Sequence, residues 1–255
     1  MGMRIAVAGA AGRMGKAVIQ AVKATEGLEL IAGLLRKGSQ FIQDETNALK
    51  WPDGVELRLS DDPAALFSEV DGVIDFTSPD ASAELSAIAA DAGVVHIIGT
   101  TGFAEKEFRA VEAASKKVAV VCSSNMSVGA NLAAWLVEET ALRLGDEFDI
   151  GVMEMHHRNK KDAPSGTALM LAKAAQKGKS ASRPERKDNV NFAVLRGGTV
   201  VGYHSVIFAG EFESIEISHR VDNRMVFAFG AVRAIKWASK QPAGLYSMHD
   251  VLLSA

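Results

Sequence analysis

Positive charge is concentrated between His156 and Lys161, where five of the six residues are cationic or can become so. The whole chain has a net charge of -3, so solubility gives no reason for such a cluster. Histidine exchanges protons near neutral pH, whereas lysine and arginine hold a positive charge there. The segment is therefore suited to binding a small polyanion and giving it protons. The alternative is a solvated basic loop, which is the commoner meaning of a charge run.

A helix start is predicted directly after this cluster. Pro164 suits the first turn of a helix, where its missing N–H needs no partner, and Ser165 is a candidate N-cap. The first amides of a helix have no intrahelical acceptor and lie at the positive end of the helix dipole. We therefore predict that the amides of Gly166 and Thr167 bind a carboxylate or a phosphate.

A predicted strand, Phe148–Met155, delivers the basic cluster at its end. Side chains alternate across a strand, so Glu154 and His156 point the same way and His157 points the opposite way. A sharp turn must follow the strand if both histidines are to face one site.

A glycine-rich turn follows the first predicted strand and opens the first predicted helix. It has glycine at positions 9, 12 and 15, a variant of the dinucleotide-binding pattern. Glycines there allow a tight turn and a close approach of the backbone to a pyrophosphate. A phosphate-binding P-loop is disfavoured by Ala10 and Ala17, whereas an S-adenosylmethionine site stays conceivable. The predicted cofactor-binding residues of this turn are Gly9, Ala10, Ala11, Gly12, Arg13 and Met14.

The end of the second predicted strand bears on the choice of nucleotide. An acidic residue there usually binds the adenosine ribose of NAD, but this chain has Leu34-Leu35-Arg36-Lys37. Arg36, Lys37 and Arg13 are able to meet a 2′-phosphate. We therefore expect NADPH to be preferred over NADH, the alternative being that these cations are exposed loop residues.

Two small polar loops follow later predicted strands. Ligands of open parallel sheets bind beyond the carboxyl ends of the strands, so both loops lie on the edge that holds the glycine turn. We predict that they line the nicotinamide, although either could be a plain turn. The predicted residues are Gly99, Thr100, Thr101, Ser123, Ser124, Asn125 and Met126.

The order of elements indicates an α/β fold. Apolar strands that alternate with helices are typical of a Rossmann-like, doubly wound parallel sheet. After Cys122, closely spaced strands indicate a second α+β domain on a mostly antiparallel or mixed sheet. The predicted strands are Arg4–Ala8, Leu28–Leu34, Val55–Leu59, Val73–Phe76, Val94–Ile98, Val118–Cys122, Phe148–Met155, Asn189–Arg196, Ser205–Ala209 and Ser214–Arg220. The predicted helices are Gly12–Ala24, Pro79–Ala92, Glu105–Lys116, Val128–Leu144 and Arg224–Lys240, and Gln176–Asn191 is predicted to be a mobile surface loop.

Composition excludes several classes of function. With 48% hydrophobic and 23% charged residues, the chain is an ordinary globular protein. A slight acidic excess disfavours nucleic acid as a partner, and no apolar run reaches the length of a membrane span. Cys122, the one cysteine, allows no disulfide within the chain. We expect a cytoplasmic protein with no membrane partner.

The motifs together resemble the 4-hydroxy-tetrahydrodipicolinate reductase (dihydrodipicolinate reductase) family, which acts in diaminopimelate and lysine biosynthesis. The resemblance covers nearly the whole chain, and the stretch His-His-x-x-Lys-x-Asp-Ala-Pro-Ser-Gly-Thr-Ala is highly specific. Leu35 stands where some members of the family have an acid. The matching segments are Gly9–Gly15, Gly99–Gly102, Ser123–Asn131, Glu154–Ala168, Asn223–Ala234 and Gly244–Tyr246.

The resemblance implies NAD(P)H-dependent hydride transfer to a cyclic imine that bears two carboxylates. It implies that His156 is the acid–base residue, that Lys160 donates a proton and binds substrate, and that His157, Gly166 and Thr167 bind substrate. It also implies a homotetramer built through the second-domain sheets and a cleft that closes between the domains. The expected domains are 1–126 with 235–255 for the dinucleotide, and 127–234 for substrate binding and oligomerisation.

Three other functions compete with this reading. A thioester-forming semialdehyde dehydrogenase needs a nucleophilic cysteine, but Cys122 ends an apolar strand. A zinc hydrolase could use His156 and His157, yet adjacent histidines lack the spacing of a helical ligand pair, and we expect no metal. A regulatory protein that senses nucleotides would not need the complete basic cluster.

Overall fold

The computed structural model describes residues 2–43, 57–182 and 190–253. These residues divide into two compact units, Met1–Ser127 with Met225–Ala255, and Val128–Arg224. The chain returns to the first unit at Met225, ten residues before the predicted domain boundary at 235. The reason is that helix α8 (Met225–Ala238) packs on three strands of the first unit's sheet.

The first unit is built on a seven-stranded parallel sheet in the order β11-β6-β5-β4-β1-β2-β3. The predicted doubly wound architecture is therefore confirmed. Its strands are β1 (Met3–Ala8), β2 (Leu28–Leu34), β3 (Leu59–Ser60), β4 (Gly72–Asp75), β5 (Val95–Ile98), β6 (Ala119–Cys122) and β11 (Gly244–Tyr246). Its helices are α1 (Arg13–Lys23), α2 (Gln40–Gln43), α3 (Pro63–Phe67), α4 (Pro79–Ala92), α5 (Glu105–Ser115), α8 and α9 (Met248–Leu253).

Burial on both faces explains why these strands are continuously apolar. The four residues Ile5 to Ala8 of β1 are completely buried, as expected for a parallel sheet covered by helices on each side. Helix α4 shows how the sequence delimits a covering helix. Its N-cap Ser78 accepts a hydrogen bond from the amide of Ala81, Pro79 occupies the first turn, and Gly93 ends the helix with a φ of 72°.

The second unit is built on a four-stranded mixed sheet in the order β10-β9-β7-β8. Strand β7 pairs parallel with β8 and antiparallel with β9, as the prediction of a mostly antiparallel or mixed sheet allows. The strands are β7 (Asp149–His156), β8 (Asn191–Arg196), β9 (Gly202–Ala209) and β10 (Ser214–Val221), and the helices are α6 (Val128–Leu144) and α7 (Gly166–Ser182).

The core of the second unit lies between one face of this sheet and helices α6 and α7. It is formed by side chains such as Val137 of α6, Leu171 of α7, Val152 of β7 and Phe208 of β9. The two helices approach most closely at Gly178, where an added methyl group would lie 2.2 Å from the carbonyl oxygen of Glu138. Only glycine fits at that crossing.

Two sequence predictions are wrong in part. Residues 176–182 of the predicted loop Gln176–Asn191 continue helix α7, because Ala175 packs in the core and Lys177 pairs with Glu138 at 2.7 Å. The remainder of that loop lies mainly outside the described residues. The predicted strand Val55–Leu59 begins outside them too, and only Leu59–Ser60 form β3. Within the described ranges, no helix is both long and apolar enough to cross a membrane.

Candidate active site

Strand β7 brings Glu154 and His156 to the face of the sheet that packs against the helices. Burial alternates along the strand, and both of these side chains are buried, as the alternation predicts. Across the sheet, His156 lies in register with Arg196 of β8, and Glu154 lies in register with His204 of β9. Strand pairing thus assembles two histidines, a carboxylate and a guanidinium from three strands.

The carboxylate of Glu154 is the centre of this group and is completely buried. Its Oε1 accepts hydrogen bonds from Arg196 Nη2 at 2.9 Å and from the backbone amide of Ser165 at 3.2 Å. Burial alone would raise the pKa of Glu154. The hydrogen bonds from Ser165 and Arg196, with the charges of His156 and Arg196, instead hold that pKa below its ordinary value. Glu154 is therefore an anion inside the fold.

The ring of His156 is turned toward this anion through Nδ1, which lies 2.7 Å from Glu154 Oε2. The contact is a close electrostatic one and not an aligned hydrogen bond, because the angle between the two groups is unsuitable. Burial lowers the pKa of His156, and Glu154 opposes that change while Lys160 and Arg196 reinforce it. The outcome is a pKa below the ordinary value for histidine, so the protonated ring is a stronger acid than free imidazole.

A second histidine, His204, packs edge-to-face against His156 with ring centroids 5.0 Å apart. Its Nε2 lies 3.0 Å from Ser165 Oγ and 3.9 Å from Glu154 Oε2. Burial and the nearby charge of His156 lower the pKa of His204 to about 4. His204 is therefore neutral near pH 7 and serves as a packing and hydrogen-bonding neighbour of His156.

The basic segment turns sharply after β7, as predicted. The amide of Lys160 donates to the carbonyl of His157 at 3.1 Å, which closes a four-residue turn. The Lys160 side chain is mostly buried, and its Nζ lies 2.8 Å from Asp162 Oδ2. That ion pair lowers the pKa of Asp162. His157 is partly buried on the turn itself.

Helix α7 begins where the sequence predicts, with Ser165 as its N-cap. Ser165 Oγ accepts a hydrogen bond from the amide of Ala168 at 3.2 Å. The predicted place of Pro164 in the first turn is wrong. Ser165 is the N-cap and Gly166 is the first helical residue, so Pro164 lies one residue before the cap. Gly166 and Thr167 occupy the first two helical positions, and a methyl group added at Gly166 would meet no atom within 4 Å. Among the described residues, no side chain therefore blocks the approach of a ligand at Gly166.

The donor atoms of Glu154, His156 and His204 lie within 4.8 Å of one another, a separation that a metal ion could bridge. Arg196 already binds one oxygen of the carboxylate, and Lys160 adds a second positive charge near His156. These cations oppose the binding of another cation and favour an anionic ligand.

The glycine turn of the first unit is packed so closely that two of its glycines leave no room for a side chain. Gly9 has a φ of 74°, and a methyl group there would lie 2.8 Å from the carbonyl oxygen of Phe76. A methyl group at Gly15 would lie 2.2 Å from the Gly9 oxygen, so only glycine lets α1 approach the turn. The amide of Gly12 donates to the Gly9 oxygen at 2.9 Å and closes the turn.

A cavity of about 1270 Å³ opens beside this turn. Of the predicted cofactor residues, it is lined by Gly9, Ala11, Gly12 and Arg36, with Lys37 beside them. The volume and the glycine cradle fit a dinucleotide. Leu35, which takes the place of a ribose-binding acid, is buried, whereas Arg36 and Lys37 are exposed.

The remaining predicted cofactor residues do not line this cavity. Ala10 is buried against the sheet, Arg13 and Met14 begin helix α1, and the two polar loops follow β5 and β6. Thr100 and Met126 are buried. In the second loop, Ser123 Oγ donates to the carbonyl of Asn125 at 3.1 Å. Gly99 and Thr101 flank Thr100, and Ser124 lies between Ser123 and Asn125.

A buried polar network, not anticipated from the sequence, anchors the first of these loops. Asp75, at the end of β4, accepts hydrogen bonds from Thr77 Oγ1 at 2.6 Å and from the Thr77 amide at 2.9 Å. The same amide also donates to Thr100 Oγ1 at 3.0 Å. Asp75 further contacts His96 Nε2 at 3.3 Å. The network fixes the loops after β4 and β5 relative to each other.

Arg196 and His204 are the site residues that sequence reasoning missed. They lie outside the basic stretch of this chain and reach it only through strand pairing. A signal was present in the single basic residue of each mostly apolar strand, Arg196 in NFAVLR and His204 in GYHSVIFA.

Comparison with known proteins agrees with the two-unit architecture. Residues 3–126 match the family described as "Dihydrodipicolinate reductase, N-terminus", and residues 129–252 match "Dihydrodipicolinate reductase, C-terminus". The 4-hydroxy-tetrahydrodipicolinate reductase of Beijerinckia indica is 47% identical over 98% of this chain and 97% of that protein. The reductase of the same name from Brucella abortus is 42% identical over 98% of each chain.

Among solved structures, the dipicolinate-bound dihydrodipicolinate reductase from Paenisporosarcina sp. TG-14 has the same fold, with a TM-score of 0.79. It is 23% identical and covers 97% of this chain, which covers 98% of it. With both halves matched to one family and relatives above 40% identity over almost the full length, the chain belongs to the dihydrodipicolinate reductase family.

Proposed function

We propose that this chain reduces 4-hydroxy-tetrahydrodipicolinate to tetrahydrodipicolinate with NAD(P)H in diaminopimelate and lysine biosynthesis. The observation that supports this most directly is His156, held 2.7 Å from a buried carboxylate and followed by a lysine-bearing turn and an open helix N-terminus. These parts suit an acid that acts on a small dicarboxylate. Membership of the family supplies the reaction.

The glycine turn and the adjoining loops are proposed to hold the cofactor. A bound nicotinamide would supply a hydride to a carbon conjugated with the imine, and the hydroxyl that distinguishes the substrate from the product leaves as water. The backbone of Gly9, Ala11 and Gly12 would face the pyrophosphate, since their short side chains leave the amides accessible. Gly99 to Thr101 and Ser123 to Met126 follow the carboxyl ends of β5 and β6, and they are proposed to position the nicotinamide end.

His156 is proposed to donate a proton to the ring nitrogen of the substrate. Adding hydride to a conjugated imine leaves electron density on that nitrogen, which a positioned acid neutralises. The lowered pKa of His156 favours release of the proton. Lys160 then stabilises negative charge and anchors a carboxylate, for which it must leave Asp162.

The amides of Gly166 and Thr167 are proposed to bind a substrate carboxylate. They occupy the first turn of a 17-residue helix, where backbone donors and the helix dipole both favour an anion. His157, on the adjoining turn, is proposed to contact the same substrate. Binding at two carboxylates would orient the ring, which is worth several kcal/mol of the barrier when the geometry is productive.

Arg36 supports a preference for NADPH. It lines the cofactor cavity and, with Lys37, directly follows Leu35, which stands where NAD-binding proteins place an acid. Changing Arg36 to Ala should weaken NADPH about tenfold or more and leave NADH nearly unchanged, because a charged hydrogen bond contributes about 1.5–3 kcal/mol. Steady-state KM values for both cofactors would test this. Equal effects on both would remove the proposed phosphate contact.

A homotetramer is proposed to form through the face of the four-stranded sheet opposite α6 and α7. This face presents Met153, Met155 and Ile207, all partly exposed. Light scattering coupled to gel filtration would measure the mass, and a monomer at micromolar concentration would exclude the assembly.

The test of the function is a coupled assay. Pyruvate and aspartate semialdehyde are condensed in situ by the pathway's synthase, and loss of reduced-nicotinamide absorbance is followed with NADPH or NADH. Oxidation that requires both the synthase and this protein is expected. Bound NADPH without any oxidation would leave the cofactor site in place and overturn the substrate.

A further inference from the structure

Among the described residues, Glu154 contacts His156, Arg196 and the N-cap residue Ser165. It is buried on the same face of β7 as His156, and its two oxygens serve different partners. Oε1 accepts from Arg196 and from the Ser165 amide, and Oε2 faces Nδ1 of His156. A buried carboxylate is costly unless it is paired, so these contacts are interdependent.

The contact with His156 favours one tautomer of the neutral ring through charge, because the anionic Oε2 lies 2.7 Å from Nδ1 even though the angle is not that of an aligned hydrogen bond. A carboxylate favours an N–H on the nitrogen beside it, as the aspartate of a serine-protease triad does for its histidine. Here that nitrogen is Nδ1, so Nε2 is the nitrogen that gains and loses the catalytic proton. Space beside Nε2 is kept by Gly202, where an added methyl group would lie 3.3 Å from it.

The contacts of Oε1 link Glu154 to the segment that is proposed to bind the substrate. The Ser165 amide belongs to the N-cap of α7, whose first amides are proposed to bind a carboxylate. Arg196 also donates to the carbonyl oxygen of Asp162 at 2.6 Å, and Asp162 pairs with Lys160. The carboxylate of Glu154 therefore contacts the proposed proton donor and the N-cap of α7 directly. Through Arg196 it is also linked to Asp162, in the loop that precedes α7.

We propose that Glu154 is a positioning residue that holds His156 with Nδ1 protonated, so that Nε2 delivers the proton, and that aligns the start of α7 with it. The tautomer is a property of the folded protein, whereas its effect on turnover rests on the proposed function. Among the described residues, the ionisable groups other than Glu154 that interact with His156 are Arg196, His204, Lys160 and Asp162, and His219 in turn interacts with His204.

The first experiment is side-chain ¹⁵N NMR of histidine in the full-length wild-type protein above the pKa of His156, with His156→Gln used for assignment. The expected result is a His156 ring protonated at Nδ1. A ring protonated at Nε2 in the wild type would overturn the proposal, whatever the variants do. This measurement needs no substrate, so it stands even if the coupled assay shows no reductase activity and the proposed function fails.

The second experiment follows kcat against pH for Glu154→Gln. Because the charge of Glu154 raises the pKa of His156, its removal should move the falling limb of the profile to lower pH and reduce kcat near pH 7 by about 100-fold. Glu154→Asp keeps the charge and should return the limb toward the wild-type position. Asp149→Asn, at the exposed start of the same strand, should leave the profile unchanged.

A purely structural role would give a different result. In that case Glu154→Gln would lower kcat at every pH without moving the limb, and the ratio of the two His156 tautomers would stay as in the wild type. That pair of results would overturn the proposal. If Glu154→Gln does not fold, the wild-type tautomer and the Glu154→Asp profile decide the question.

Discussion

Each of the two units contains a buried carboxylate–histidine pair, and the two pairs differ in what surrounds them. In the parallel-sheet unit, Asp75 and His96 lie 3.3 Å apart, and both side chains are fully buried. In the other unit, Glu154 and His156 lie 2.7 Å apart, and the histidine keeps a small exposed fraction. The pair alone therefore does not define a catalytic site.

The far nitrogen of each ring shows the difference. His96 Nδ1 lies 3.1 Å from Ser86 Oγ, so both nitrogens of that ring face oxygens inside the fold. The neighbours of Asp75 are hydroxyl groups, which lower its pKa together with His96 although burial opposes them. Glu154 and His156 are instead surrounded by Arg196 and Lys160. A buried pair surrounded by hydroxyl groups indicates a structural role. A pair that keeps some exposure and lies beside an arginine and a lysine indicates chemistry on an anion.

Among the substitutions that test the difference between the two pairs, His156→Gln should have the largest effect, and that effect should be on kcat. Glutamine keeps hydrogen-bonding atoms but cannot act as an acid, so kcat should fall by about 10² to 10⁴. The Kd for NADPH should stay within a few-fold of the wild type. Stopped-flow kinetics and fluorescence titration measure the two quantities, and an unchanged kcat would remove His156 from the chemistry.

Asp75→Asn tests the structural pair. An amide in place of the carboxylate accepts fewer of the hydrogen bonds that Asp75 receives inside the fold, so the free energy of unfolding should fall by about 1–3 kcal/mol. Urea denaturation would measure this, with kcat recorded on the folded fraction. The contrast between the two pairs would be lost if Asp75→Asn left stability intact and abolished turnover.

The last effect concerns pH. The folded-state pKa of His204, about 4, lies below the ordinary value of 6.5, so the folded protein binds a proton there less well than the unfolded chain. Its contribution is full above pH 6.5 and is lost as pH falls toward 4, by up to about 3 kcal/mol. His204→Gln should flatten the stability curve over that window, as measured by urea midpoints. Parallel curves for variant and wild type would contradict the shift.

Local patterns predicted the parts of both sites that are contiguous in sequence. The glycines at 9, 12 and 15, the turn after His157 and the cap at Ser165 depend on backbone preferences within a few residues. Such preferences are readable from one chain because steric limits on the backbone act locally.

Contacts that need strand register were not readable in this way. Arg196 is 42 residues from Glu154 along the chain, and His204 reaches the site only because β9 pairs with β7 in one register. A shift of one residue would turn either side chain to the other face. The same limit hid the link between Asp75, Thr77 and Thr100. Composition misled at Gln176, where polar residues form the solvent side of a helix.

Gly178 is where helix α7 crosses helix α6 at close range. The crossing with α6 lies twelve residues beyond Gly166, a lever of about 18 Å at a rise of about 1.5 Å per residue. A side chain at position 178 would tilt the helix, and a tilt of about 5° would swing its far end by about 1.5 Å over that length. Displacements near 1 Å are enough to cost about a hundredfold in rate when they misplace a reacting group. The position of the amides proposed to bind a carboxylate at one end of the helix thus depends on the absence of a side chain near the other end.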